Sequence, residues 1–220
     1  MTFLSTARFT ASAYDLHELP PDTGAEVAFA GRSNAGKSSA INALAQRKRL
    51  AFVSKTPGRT QTINFFDCGA NRRLVDLPGY GYAAAPQKER AHWGNVVSAY
   101  LQSRSSLRGL VVIVDARHPL TPLDRQLLGW HAPSGQPVLV LLTKADKLGR
   151  QEAAQSLKAA QELLPQLHPA AASHLFSAVS GVGQRQALAV IGAWLKEAPK
   201  PAHEGLVRSP HNKKPPVKGE

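Results

Sequence analysis

Eight consecutive residues, Gly31 to Ser38, constrain this chain more than any other stretch. They read Gly-Arg-Ser-Asn-Ala-Gly-Lys-Ser. The five residues before them, Glu26 to Ala30, are short and mostly apolar, as a buried parallel strand is. After them, Ile41 and Leu44 share one face of an incipient helix. A glycine loop passing from strand to helix is the setting of a phosphate-binding loop. Gly31 and Gly36 allow a tight turn, so that backbone N–H groups between them, along Arg32, Ser33, Asn34 and Ala35, converge on an anion. The helix N-terminus adds partial positive charge. In this pattern Lys37 reaches the β- and γ-phosphates and Ser38 offers its hydroxyl to Mg²⁺.

Composition narrows the setting. The 220 residues suffice for one sizeable domain with tails. A single cysteine, Cys68, excludes an intrachain disulfide and reads as a packed thiol in a reducing compartment. No apolar run approaches the ~20 residues needed to cross a bilayer, and Met1 to Leu19 lacks the apolar core of a signal peptide. These features predict a cytoplasmic protein. The formal net charge of +12 favours a polyanionic partner, nucleic acid first.

The alternation of apolar runs predicts an α/β domain over residues 25–197, preceded by an extension over 1–24 and followed by a basic, Pro-rich tail over 198–220 that reads as disordered. Six strands are expected: Glu26–Ala30, Ile63–Phe66, Arg72–Leu77, Leu110–Val114, Val138–Leu142 and one ending near Ser177. The second and third form a hairpin about the Cys68–Asn71 turn. Helices follow over Lys88–Ser103, around Leu127, over Glu152–Leu164 and over Gln186–Lys196. The implied sheet is mainly parallel and covered on both faces, with ligands at the carboxyl ends of its strands. Residues 47 to 59 hold Arg47, Lys48, Arg49, Lys55 and Arg59 without an acidic residue, and Pro57-Gly58 marks an exposed, mobile loop.

Further motifs fall where such a site needs them. Asp76-Leu77-Pro78-Gly79 ends a strand, placing a carboxylate for Mg²⁺ and a side-chain-free N–H for a γ-phosphate. Thr143-Lys144-Ala145-Asp146 ends another. A carboxylate at Asp146 accepts from both guanine N1–H and N2–H₂, a donor pair adenine lacks, while Lys144 lies along the base and braces the loop. Ser177-Ala178, after Phe176, offers a backbone N–H to guanine O6. Thr60 is the favoured loop ligand for Mg²⁺, with Thr56 and Thr62 as rivals.

Taken together, Gly31–Ser38, the Thr-Pro-Gly-Arg-Thr-Gln of residues 56–61, Asp76-Leu-Pro-Gly-Tyr-Gly81 and Thr143–Asp146 resemble the EngB (YihA/YsxC) family of bacterial GTPases, in the Era-like branch. The resemblance spans roughly residues 10–197. It implies a Ras-like P-loop fold that binds GTP or GDP with Mg²⁺ held by Ser38, Thr60 and Asp76. It adds Gly58, Arg59, Gln61 and Thr62 to the nucleotide contacts. It also implies a role in large-ribosomal-subunit assembly, with rRNA and ribosomal proteins as partners, and in cell division and septation. The chain is expected to be monomeric. Thr143 stands where most GTPases have Asn.

Tyr80 occupies the position after Gly79 where Ras-type enzymes carry a water-orienting Gln, so slow intrinsic turnover is expected. The catalytic groups are then Lys37, Thr60 and Asn34, the last at the position that binds K⁺ in related Era-like GTPases. Arg59 as an internal finger is the weaker alternative. Two other classes fit the loop alone: a binding module with a structural nucleotide, and an ATP-dependent kinase. The kinase would have no use for Asp146.

Overall fold

The computed structural model describes residues 3–51, 62–81 and 87–196. The basic loop from residue 52 to Gln61, including Thr56, Gly58, Arg59 and Thr60, and the tail from 197 lie outside them.

Seven strands form one sheet: β1 Arg8–Ala13, β2 Ala25–Gly31, β3 Ile63–Asp67, β4 Arg72–Asp76, β5 Leu107–Asp115, β6 Val138–Thr143 and β7 Ala171–Leu175. Their order is β1-β3-β4-β2-β5-β6-β7. The β1–β3 and β3–β4 pairs are antiparallel and the others parallel, so β3 alone runs against the rest. Five helices complete the domain: α1 Lys37–Leu44, α2 Gln87–Ser103, α3 Pro122–His131, α4 Arg150–Leu167 and α5 Gln184–Trp194.

The core divides as strand alternation requires. On one face Val27, Phe29, Val111, Ile113, Leu139 and Leu141 pack with Ile41 and Leu44 of α1 and with Ile191 and Trp194 of α5. On the other, Ala28, Val112, Val114, Val140 and Leu142 meet Tyr100 of α2, Leu127 and Leu128 of α3, and Ala160 and Leu164 of α4. Chain order reverses at β2, which lies between β4 and β5. That reversal opens a crevice at the strands' carboxyl ends.

Two features lie beyond the expectations above. The sheet has seven strands rather than six, because the amino-terminal segment contributes β1. β1 is an edge strand with most side chains exposed and a register shift between Phe9 and Ala11. Its formation rests on pairing with β3, so it carries little apolar alternation of its own. The second feature is Glu26 inside β2. It is fully buried, accepting from Tyr100 Oη at 2.9 Å, Arg104 Nε at 2.9 Å, Arg104 Nη2 at 2.8 Å and Arg73 Nη1 at 3.0 Å. This network fastens α2 and β4 to the amino end of β2, opposite the crevice. A buried carboxylate persists only when so partnered.

Candidate nucleotide-binding site

β2 delivers the chain into the glycine loop at Gly31. There glycine is required by packing against β5: a Cβ would lie 2.9 Å from both the Ile113 Cβ and its carbonyl oxygen. Gly36 supplies the turn, with φ of 103°. Asn34 is also left-handed, at φ 65°, a conformation Asn tolerates better than most residues. α1 then begins without a side-chain cap. Its first hydrogen bond runs from Ala40 N–H to the Gly36 carbonyl. The N–H groups of Lys37, Ser38 and Ser39 therefore precede the helical ladder, leaving donors for an anion.

The neighbouring strand ends brace this loop. Thr143 Oγ1 lies 2.5 Å from the Ala35 carbonyl oxygen and 3.0 Å from that of Val114. Lys144, left-handed at φ 59°, donates through Nζ to the Asn34 carbonyl at 2.7 Å and to Asp115 Oδ2 at 2.9 Å. Asp115 also holds Arg117 through Nε at 2.9 Å and Nη2 at 2.7 Å. Those partners keep its carboxyl far below the usual range despite partial burial. Lys144 thereby links the glycine loop to Asp115 at the end of β5. Between the outer face of the loop, the end of β5 and the start of α3 is a cavity of about 180 Å³, lined by Arg32, Asn34, Asp115, His118, Asp124 and Lys144 among others.

Asp76, at the end of β4, is ion-paired with Lys37. Leu77 and Pro78 are buried, and Leu77 N–H donates to the Phe29 carbonyl. Gly79 rests on the glycine loop. A Cβ there would meet Ser33 N at 3.5 Å and the Gly31 carbonyl at 3.6 Å, ordinary contacts. Packing therefore does not demand this glycine, whereas close approach of a ligand would.

Asp146 lies in a 3₁₀ turn over Ala145–Lys147, and its Oδ1 accepts from Ser177 Oγ at 2.6 Å. That bond holds its carboxyl below the ordinary value. Ser177 is fully buried, and its Oγ also accepts from Val179 N–H and Ser180 N–H. Phe176 belongs to the core and its carbonyl accepts from Ala145 N–H. The loops after β6 and β7 are thereby stitched into one surface, with Ala178 exposed on it.

One rival for the loop ligand has other partners. Thr62 Oγ1 accepts from Ser12 Oγ at 2.8 Å and donates to Asn64 Oδ1 at 3.3 Å, at the β1–β3 edge. Gly58, Arg59, Thr60 and Gln61 lie outside the described residues. Asp115 and Asp124 went unread in the sequence, although Asp115 ends a strand as Asp76 does. An acidic residue in the first turn of a helix, as Asp124 is, is common enough to hide a second role. No group of His, Cys, Asp and Glu suited to a metal was found among the described residues, and none of the helices described there is long and apolar enough to cross a membrane.

A mainly parallel sheet carrying this loop, an Asp-x-x-Gly turn and a braced Lys144–Asp146 loop defines a P-loop GTPase. The sequence pattern described as "50S ribosome-binding GTPase" matches residues 26–144. The chain belongs to the EngB family of GTP-binding proteins. A protein of Methylobacillus flagellatus named "Probable GTP-binding protein EngB" is 54% identical over 195 residues, covering 89% of this chain and 94% of its own. One of the same name from Aromatoleum aromaticum is 54% identical over 197 residues, covering 89% and 90%. Among solved structures, a probable GTP-binding protein engB aligns with TM-score 0.61 at 22% identity, over 79% of this chain and 100% of that one. Era from Aquifex aeolicus, bound to GDP·AlF₄⁻, aligns with TM-score 0.59 at 22% identity, over 88% and 62%. These structural likenesses speak to the fold alone.

Proposed function

We propose that this GTPase is a cytoplasmic molecular switch acting on the precursor of the large ribosomal subunit, and through that role supporting cell division and septation. The observation carrying the reading is the single surface formed by the uncapped start of α1, Gly79 and the Asp146–Ser177 pair. It offers amides for phosphates at one end and a fixed carboxylate for a guanine edge at the other. The matched family's description and the chain's net charge of +12 support a ribosomal partner.

In this reading the residues Gly31 to Ser38 hold the phosphates. Lys37 moves from Asp76 to the β- and γ-phosphoryl oxygens, and Gly79 N–H meets the γ-phosphoryl. The hydroxyl of Ser38 and the carboxylate of Asp76 are hard oxygen donors and suit Mg²⁺, with Thr60 as a third ligand. Bound there, Mg²⁺ would offset charge on the β- and γ-phosphoryl oxygens. Asn34 is exposed, and among the described residues its side chain makes no hydrogen bond, so its amide oxygen is free for K⁺. Neither Tyr80 nor any described neighbour stands as a base for water, so intrinsic turnover is slow and the ribosomal partner accelerates it. The protein acts as a monomer.

Co-sedimentation with ribosomal subunits tests the reading. Binding to large-subunit particles with a non-hydrolysable GTP analogue, weakened with GDP and steeply with salt, is the expected result. Equal, salt-insensitive recovery in both nucleotide states would refute it.

A further inference from the structure

Asp124 is a buried carboxylate that the reading above leaves without a task. It is 1% exposed, in the first turn of α3. One oxygen serves the helix: Oδ2 accepts from Thr121 N–H at 2.8 Å and Thr121 Oγ1 at 2.6 Å. The other leaves the helix: Oδ1 accepts from Tyr80 Oη at 2.7 Å. Burial, then the adjacent Asp124 charge, pushes the Tyr80 phenol well above its usual pKa, so it stays a donor.

Tyr80 is held at its backbone too. Its N–H donates to the Gly31 carbonyl at 3.2 Å, and its carbonyl accepts from Ser33 N–H at 3.1 Å. The residue after Gly79 is thus hydrogen-bonded to both ends of the chain turn that opens the glycine loop, while its side chain reaches α3. Arg32, bridged to it through the backbone, forms no ion pair or side-chain hydrogen bond among the described residues. Asp124 is therefore the polar group that fixes the Tyr80 ring. Gly79 has no side chain of its own, so its peptide takes its orientation from its neighbours. Leu77, bonded to Phe29, fixes one side, and Tyr80 fixes the other.

We infer that Asp124 is a positioning residue for GTP hydrolysis: by gripping the Tyr80 hydroxyl it sets the Gly79 N–H against the glycine loop, and so ties the γ-phosphoryl site to the start of α3. The inference rests on the proposed meeting of Gly79 N–H with the γ-phosphoryl. An interaction made only with that group discriminates GTP from GDP, whereas a general loss of fold affects both. Tyr80 donates no hydrogen bond to a water here, because its one hydroxyl proton is already given to Asp124.

Five variants of the full chain separate the possibilities: Tyr80→Phe, Asp124→Asn, the double variant, Gly79→Ala and Thr121→Ala. Each is measured for single-turnover hydrolysis, for GDP and GTP-analogue affinity, and for Tm. Tyr80→Phe keeps the ring and removes the bond. It is expected to lower the hydrolysis rate and the GTP-analogue affinity at least fivefold, with GDP affinity within twofold of wild type. The double variant should be no slower than the slower single one. Thr121→Ala, which weakens the α3 cap and leaves the Tyr80 contact, should lower Tm without changing the GTP-to-GDP ratio. If Gly79→Ala loses discrimination while Tyr80→Phe keeps wild-type rate and ratio, the inference is overturned and the Gly79 reading stands. Equal losses for both nucleotides in Tyr80→Phe, or single-variant losses that multiply in the double variant, also overturn it. If Gly79→Ala discriminates as wild type does, the Gly79 reading fails and the inference with it.

Discussion

Replacing Thr143 by Val removes one hydroxyl from the end of β6 and changes little else in shape. Thr143 is 3% exposed and Ala35, whose carbonyl it faces, 5%. The hydroxyl has one proton, and the shorter contact, 2.5 Å to Ala35 against 3.0 Å to Val114, takes it. Losing such a bond costs about 1 kcal/mol, rising to about 3 kcal/mol when a buried acceptor is stranded. For a domain of this size that lowers Tm by about 2–4 °C per kcal/mol. The functional effect follows from peptide planarity: the Ala35 carbonyl and the Gly36 N–H share one plane, so holding the former aims the latter. Thr143→Val should therefore weaken GDP binding about tenfold, the equivalent of about 1.4 kcal/mol. Thr143→Ser, which keeps the hydroxyl, should retain wild-type affinity. Titration with a fluorescent GDP, alongside thermal unfolding, reads both effects. Wild-type GDP affinity in Thr143→Val, or equal weakening by Thr143→Ser, would refute the brace.

Three further outcomes are expected. His131 and His168 stack in the interior, Nδ1 to Nε2 at 3.3 Å, and burial, with His168 adding to it, lowers His131 to a pKa of about 4. Between about 4 and 6.5 the unfolded chain then binds a proton that the folded one refuses, so stability falls with falling pH across that window, by about 3 kcal/mol in all. Urea titrations from pH 7.5 to 4 should show that slope flattened in His131→Phe, and an unchanged slope would contradict the assignment. Asp146→Asn should trade guanine for xanthine preference in nucleotide competition, and retained GDP preference would remove Asp146 from the base site. Hydrolysis should be faster in KCl than in NaCl, with the difference lost in Asn34→Ala; equal rates in both salts would dismiss K⁺.

What could be read from the sequence had a local cause. The glycine loop, Asp76 and the Thr143–Asp146 run each follow an apolar strand directly, so periodicity located the motif and the motif located the crevice. β1 was hidden because an edge strand with one neighbour and exposed side chains needs no apolar alternation; its partner residues in β3 are fifty or more positions distant in sequence. Glu26 opens the first expected strand, and only the fold brings Arg73, Tyr100 and Arg104 to it. Gly31 was legible as glycine but for the wrong reason: the close approach of β5, not a turn, demands it. Tyr80 was legible as the absence of a glutamine. Its bond to Asp124 crosses from one loop to another helix, 44 residues away, and no spacing rule reports that.

Nucleotide choice at this site depends on the Asp146 carboxylate, held by Ser177, selecting the base while the glycine loop grips the phosphates. Competition of unlabelled GDP and ADP against a fluorescent GDP, with Mg²⁺ present, measures this directly. GDP should displace the probe at concentrations at least about a hundredfold below those ADP needs, the scale of about 3 kcal/mol expected when two hydrogen bonds to a charged group are lost. Equal displacement by ADP, or no binding of either nucleotide, would contradict it.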